Sequence, residues 1–340
     1  MKSIFVSLIV FCQAFAGCAL AKDWVVYQGS EGAGKGKHIV LLSGDDEYRS
    51  EEALPMLGKI LAVRHGFKCT VVFPVDSSGT IDPSMQTNLP GIEALDSADL
   101  CVMSLRFREL PDDKMKHFVD YLNAGKPIIA LRTSTHAFSY DRNKQSRYAH
   151  FDWRHKSAPW VGGFGQHVLG ETWVNHHGSH GKESTRGEVN EKLKDHPILR
   201  GVKEVWGPTD VYGVAHLPAD AQVLMFGQVL SGMKPEDPPV EGVKNNPMMP
   251  LVWIRDYASE TGKTSKTLTT TMGAAVDLKN EGLRRLLVNG CYWALGLEQK
   301  LPAGGADVSL VGTYEPTWFG FKTFKKGVKP EMHELNPGER

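Results

Sequence analysis

The chain has 340 residues, 41 % of them hydrophobic, and its 39 basic side chains balance 39 acidic ones. Nothing in that balance points to a basic nucleic-acid surface or an acidic solubilising tail, and the length is ample for one large core. A small neutral ligand suits such a chain better than a polyanion.

In chain order, the opening "MKSIFVSLIVFCQAFAGCALAK" places Lys2 before an apolar run and ends in the small-residue site Ala19-Leu20-Ala21. This is the layout of a secretory signal peptide over residues 1–21 and predicts a periplasmic or extracellular protein. Cys18 in "FAGC" offers a competing lipoprotein site, although Phe15 stands where Leu is usual. Beyond the leader remain Cys69, Cys101 and Cys291, an odd number with two in apolar runs, so a disulfide framework is not expected. No later run is long enough to span a bilayer. Residues 22–36 are expected to be a linker, because the glycines of "GSEGAGKGKH" precede the first buried run instead of following it.

From His38 the chain alternates two kinds of segment. "HIVLLSG", "FKCTVVFP", "DLCVMSL" and "KPIIALR" are continuous apolar runs, as expected of strands buried on both faces. Between them, "PDDKMKHFVDYLNAG" carries Met115, Phe118, Val119 and Leu122 at helical spacing and stops at Gly125. "EEALPMLGKILAVRHG" behaves alike and stops at Gly66, and its Pro55 is expected in the first turn, which leaves Asp45 to Arg49 as loop. The alternation predicts an α/β fold of three αβα layers, flavodoxin-like, with a mostly parallel sheet whose ligand site lies at the carboxyl ends of its strands. Residues 139–190 break the pattern and read as a long insertion over that edge.

The pattern resumes with the strand candidates "AQVLMFGQVL", "PLVWIRDY" and "KTLTTTMG", some of them antiparallel, and with the helix "NEGLRRLLVNGCYWALGLE". The domain is therefore placed at 37–298. In the tail, 299–340, Trp318, Phe319, Phe321 and Phe324 are expected to dock on the domain.

Three stretches converge on the predicted ligand edge. "SGDDEYRSEE" supplies Asp45, Asp46, Glu47, Tyr48 and Arg49; "LRTSTHAFSYD" supplies Arg132, Ser134, Thr135 and His136; the insertion supplies His167, Glu171, Trp173, His176, His177 and His180. "WGPTDVYGV" adds Asp210 and Tyr212, two apart and able to share a face. Clustered imidazoles on a glycine-rich loop suggest proton transfer or a divalent metal such as zinc, with His167, His176 and His180 as candidate ligands, yet no spacing here is diagnostic. Trp160 and Trp206 are candidate sugar-stacking groups, and His196 before Pro197 reads as a turn element. No G-x-S-x-G elbow and no Walker loop is present.

Together "HIVLLSGDDEYRSEEALPML", "KPIIALRTSTHAF", "DHPILRGV", "WGPTDVYGV" and "TLTTTMGAAVDLKNEGLRRLLVNGCYWALGLE" resemble the ThuA-like family, named for trehalose utilisation, within the class I glutamine amidotransferase-like superfamily. The superfamily holds a cysteine nucleophile at the turn after a central strand. This chain has Thr133-Ser134-Thr135-His136 there, so the resemblance implies the fold but not a glutaminase. It also implies carbohydrate catabolism through 3-keto glycosides, whose ketone acidifies the neighbouring C–H. The expected enzyme is then a sugar isomerase, lyase or hydrolase in which His136 and His177 or His180 move protons. Arg132 would stand near the oxygen, and Glu47, Asp210 and Tyr212 would position hydroxyls, with Asp46, Tyr48, Arg49, Ser134 and Trp173 as further substrate contacts. The competing expectations are a non-enzymatic carbohydrate-binding envelope protein and a metal-dependent glycoside or ester hydrolase. A homo-oligomer stays open.

Overall fold

The structure is a computed structural model that describes residues 23–339, so the expected leader and its Cys18 lie outside the described residues. Ten strands form one sheet: β1 Trp24–Gln28, β2 His38–Gly44, β3 Lys68–Val72, β4 Leu100–Leu105, β5 Ile128–Leu131, β6 Thr185–Val189, β7 Trp206–Gly207, β8 Gln222–Val229, β9 Met249–Ala258 and β10 Thr264–Thr270, in the order β1-β3-β2-β4-β5-β10-β9-β8-β6-β7. Only β3, β2, β4, β5 and β10 run parallel; β1 and the β9-β8-β6-β7 wing are antiparallel. The α/β class is as expected, but the sheet is mixed instead of mostly parallel. No helix lies between β8, β9 and β10, and strands joined without a crossover must reverse.

Helices α1 Ser50–His65, α2 Asp112–Asn123 and α3 Glu281–Ala294 cover the sheet from opposite sides. On β2, Ile39 and Leu41 join one core with residues of α1 and α3, while Val40 and Leu42 join another with Met115, Phe118 and Leu122 of α2. Period-two alternation therefore sends every second residue of a fully buried strand to each core. Helix stops are as read: Gly66 adopts φ 77° and donates to the Ala62 carbonyl, while the following Phe67 amide donates to that of Leu61. Pro55 is not in the first turn as expected. Ser50 opens α1 by accepting the amides of Gly44 and Asp45 on its hydroxyl, so Pro55 falls in the second turn and leaves the Glu51 carbonyl without its helical donor.

Residues 22–36 are not simply a linker. "WVVYQ" alternates, burying Val25 and Tyr27, and β1 pairs antiparallel with the edge strand β3. The tail divides as well: Phe319 and Phe324 are buried as expected, whereas Trp318 and Phe321 stay exposed. Among the described residues no helix is long and apolar enough to cross a membrane. Cys69, Cys101 and Cys291 are buried and unpaired.

Candidate functional site

Strand ends bring the site together. After β2, the Asp45 carboxylate accepts the amides of Glu47 and Tyr48 and the Thr133 hydroxyl, which folds residues 45–48 into a tight turn tied to the turn after β5. Asp46 pairs with Arg106 at 2.8 Å, and the Glu47 side chain points toward His180.

The sharp turn after β5 begins at Arg132, which is held at φ 43°, a conformation rarely adopted by non-glycine residues. Its guanidinium is fully buried. It donates to Asp210 Oδ1 at 3.0 Å, to the Thr271 carbonyl at 2.7 Å and to the Tyr48 hydroxyl at 3.1 Å, and it lies between the Tyr48 and Tyr212 rings at 4.1 and 4.2 Å. Arg132 therefore braces the floor of the site and does not reach an open oxygen position. Asp210 and Tyr212 lie in an irregular segment, not the strand expected, and they meet at this guanidinium.

Residues 139–184 contain short helical turns and none of the ten strands of the sheet. Gly165 sits so near the Thr135 carbonyl that a Cβ would lie 1.9 Å from it, and Trp253 on β9 donates to the Leu169 carbonyl at 2.8 Å. Further along, the amides of His177 and Gly178 donate to the Val211 carbonyl while His176 bridges to Tyr212. A Cβ on Gly178 would lie 3.2 Å from that of Asp210, so glycine lets the loop lie against this residue. Two imidazoles are thereby brought to one carboxylate: His176 Nδ1 is 2.7 Å from Asp210 Oδ2, and His180 Nδ1 is 3.0 Å from Oδ1. On its other side, His180 Nε2 is 3.5 Å from Glu47 Oε1.

Protonation follows from this geometry. Burial alone would raise the Asp210 carboxyl, but Arg132 and the two imidazoles outweigh it and hold it far below the carboxylate range. An ionised carboxylate only accepts hydrogen bonds, so both Nδ1 atoms carry protons and, in the neutral rings, both Nε2 atoms are bare. His180 is raised, first by its bond to Asp210 and against the effect of burial, with the charges of Asp210 and Glu47 adding to the rise. Glu47 is raised by burial and by Asp45, partly offset by Arg106, Arg132 and His180. His136 is driven well below its usual value by burial and by Arg106, Arg132 and His176, so it is a neutral ring. It packs among Phe107, Trp153, Trp173 and Tyr212, with centroids 5.2–6.5 Å away.

Glu47, Tyr48, Arg132, His136, Trp173, His176, His180, Asp210 and Tyr212 are thus brought together, with Asp46 at the rim. Other candidates are placed elsewhere. His167 Nδ1 bonds the Pro159 carbonyl and its ring lies 4.0 Å from Trp160, so it is not a partner of His176 and His180 in a metal set. His177 bonds the Lys244 carbonyl at 2.9 Å. Glu171 accepts the amides of Ala215 and His216. Ser134 is buried against the backbone of Met103 and Leu105. Arg49 binds the tail through Thr317, Gly320 and Thr323. Trp160 is buried, and Trp206 donates to Ser184. His196 accepts the Ile198 amide, the turn role expected of it.

Sequence reasoning missed Arg106, Phe107 and Trp153. The first two directly follow "DLCVMSL", so the rule applied to the ends of β2 and β5 points to them too. Phe107 and Trp153 also line a neighbouring cleft of about 270 Å³ with Ser139, Asp141, Arg142 and Arg154.

Residues 40–294 match the sequence profile of ThuA, described as trehalose utilisation. Among solved structures, a ThuA-like protein from Parabacteroides merdae is 16 % identical with a TM-score of 0.47, over 77 % of this chain and 90 % of that one. A ThuA-like protein from Bacteroides uniformis is 15 % identical with a TM-score of 0.45, over 79 % and 95 %. No curated protein sequence matches the chain.

Proposed function

The chain belongs to the ThuA family of trehalose utilisation, and from that membership we propose that it is an exported enzyme of carbohydrate catabolism in which Glu47 and His180 carry out acid–base chemistry on a keto sugar. The observation that carries this reading is the Asp210 carboxylate shared by His176 and His180. It orients two imidazoles and leaves their Nε2 atoms free, one of them 3.5 Å from Glu47.

A ring ketone acidifies the adjacent C–H. Glu47, a carboxylate whose basicity is raised by burial, takes that proton while the carbonyl oxygen receives one from protonated His180, giving an enediol that is reprotonated on carbon. No atom is gained or lost in this exchange, and no oxidant is needed. His136, neutral and walled by aromatics, supplies a hydrogen bond and not a charge. Arg132 keeps Asp210 ionised and so fixes the tautomers from below. Asp46 and Trp173 would contact the sugar's hydroxyl edge and its face.

The same residues fit a divalent cation. Ligating atoms of His176, His180 and Asp210 all lie within 4.8 Å of one another, and paired imidazoles with a carboxylate are the donor chemistry of zinc. Such an ion would supply charge stabilisation for the developing oxyanion. Metal content of the purified protein, with activity before and after chelation, tests this second reading.

The central test is turnover of a 3-keto glycoside by the His180→Gln and Glu47→Gln variants. Each is expected to lose about 100-fold or more, the usual contribution of a positioned acid or base, whereas His177→Ala retains the native rate. Native-like rates in both variants would remove the proposal. Tight sugar binding with no turnover by the native protein would make it a carbohydrate-binding protein instead.

A further inference from the structure

The family match ends at residue 294, yet residues well beyond it wall the site. The turn at 317–323 lies on the loop that carries Asp46 and Glu47. Gly320 donates to the Glu47 carbonyl at 2.8 Å, and Arg49, fully buried, donates to the Gly320 carbonyl at 2.6 Å and to Thr317 at 3.2 Å. Thr317 in turn gives both its amide and its hydroxyl to the Glu52 carboxylate, each at 2.7 Å. Charge-assisted bonds of this kind hold the turn rigidly.

This turn displays unusual side chains. Trp318 is 53 % exposed and Phe321 49 %, and they are the only large aromatic residues among the described ones that remain so open. Trp318 stacks on Phe319 at 4.9 Å, and Phe319 packs against His180 at 5.4 Å and Tyr48 at 5.5 Å. The Arg106 guanidinium lies over the Phe321 ring at 4.8 Å and the Phe107 ring at 4.4 Å, and it is paired with Asp46. Apolar faces on a fixed backbone, flanking an arginine–carboxylate pair, match the two chemistries of a sugar ring: its C–H face stacks and its hydroxyl edge takes directional hydrogen bonds. An exposed apolar patch beside a polar site calls for an occupant, and a chain with no net charge and a family tie to a disaccharide favours a glycoside.

We infer that the tail turn is a second sugar subsite, in which Trp318 and Phe321 stack on the outer ring of a disaccharide-sized glycoside while Asp46 and Arg106 take its hydroxyls. This rests on the keto-sugar reading above and assigns the outer half of the substrate to a segment beyond the family match.

Calorimetric titration of native protein, Trp318→Ala, Phe321→Ala and Trp318→Phe with 3-keto-trehalose and with 3-keto-glucose tests it, with circular dichroism confirming the fold of each. The preference of the native protein for the disaccharide is expected to fall about tenfold in each alanine variant, as loss of one stacking contact implies, and to survive largely in Trp318→Phe. An unchanged preference in both alanine variants overturns the inference and leaves the keto-sugar reading standing. Binding of neither sugar by the native protein overturns both. A change of sedimentation mass in Trp318→Ala without a change in affinity would make this surface a contact between copies of the chain and overturn the subsite.

Discussion

Replacing Asp210 with Asn probes the joint on which the site depends. The carboxylate accepts from Arg132, His176 and His180, and an amide oxygen cannot replace both of its oxygens. Arg132 would lose its counter-charge while fully buried, a change that costs about 3–5 kcal/mol when one partner of a buried pair is removed. Its remaining bonds to Thr271 and Tyr48 and its two ring faces favour the low end. About 3 kcal/mol corresponds to a melting point lower by roughly 4–5 °C in a chain of this size. His180, raised chiefly by its bond to Asp210, should titrate at lower pH in the variant. The contribution of a raised histidine is present below its unfolded value near pH 6.5 and fades as pH rises through the folded one. That of Asp210, whose folded value is depressed, is present above about pH 3.9 and fades as pH falls. The deficit of the variant should therefore be greatest between about pH 4 and 6.5, and smaller but still present at pH 8. Thermal melts across that range, with NMR titration of the histidine C–H signals, measure both effects. An unchanged His180 titration and a melting point within about 2 °C of native would refute the reasoning.

Three further outcomes are expected. Gly165→Ala forces a Cβ to within 1.9 Å of the Thr135 carbonyl, so the helical turn Gly165–Leu169 must lift from the turn after β5; chemical denaturation should show a loss of about 3 kcal/mol, and sugar affinity should fall with it. Arg49→Met removes the donors that hold Thr317 and Gly320, at a cost of about 2 kcal/mol for bonds to a charged group, and limited proteolysis should then cut the tail near residues 317–323 first. Burial pushes the Glu51 carboxyl, which has no hydrogen-bond partner, up to about 8. Native stability should decline as pH rises from its unfolded value toward that figure, and Glu51→Gln should abolish the slope, matching native at pH 4 and exceeding it by about 4–5 kcal/mol at pH 8.5.

Much of the fold was legible because its signals are local. Continuous apolar runs marked β2, β3, β4 and β5, and Gly66 and Gly125 marked the ends of their helices, since buried strands and left-handed caps each restrict composition. The alternation in "WVVYQ" was an equally local signal of β1, obscured by the glycines that follow it. That the turns after β2 and β5 lie side by side was legible from topology alone, whereas the bonds of His176 and His180 to Asp210 emerge only in the structure. Which histidines would meet there was not, because His167 and His177 differ from His176 and His180 only in the backbone carbonyls that claim them, Pro159 and Lys244. Nor could sequence separate Arg49 and Arg132, buried braces, from Arg106 at the rim. The tail's part depended on a buried arginine clamping a turn almost 270 residues away, a long-range pairing that no periodicity reports.

The most direct measurement is deuterium wash-in from solvent at the carbon beside the ketone of a 3-keto glycoside, followed by NMR. The account predicts site-specific incorporation by the native protein, strongly diminished in Glu47→Gln and His180→Gln and retained in His177→Ala. Absence of wash-in with bound native protein, or wash-in indifferent to both glutamine variants, would contradict it.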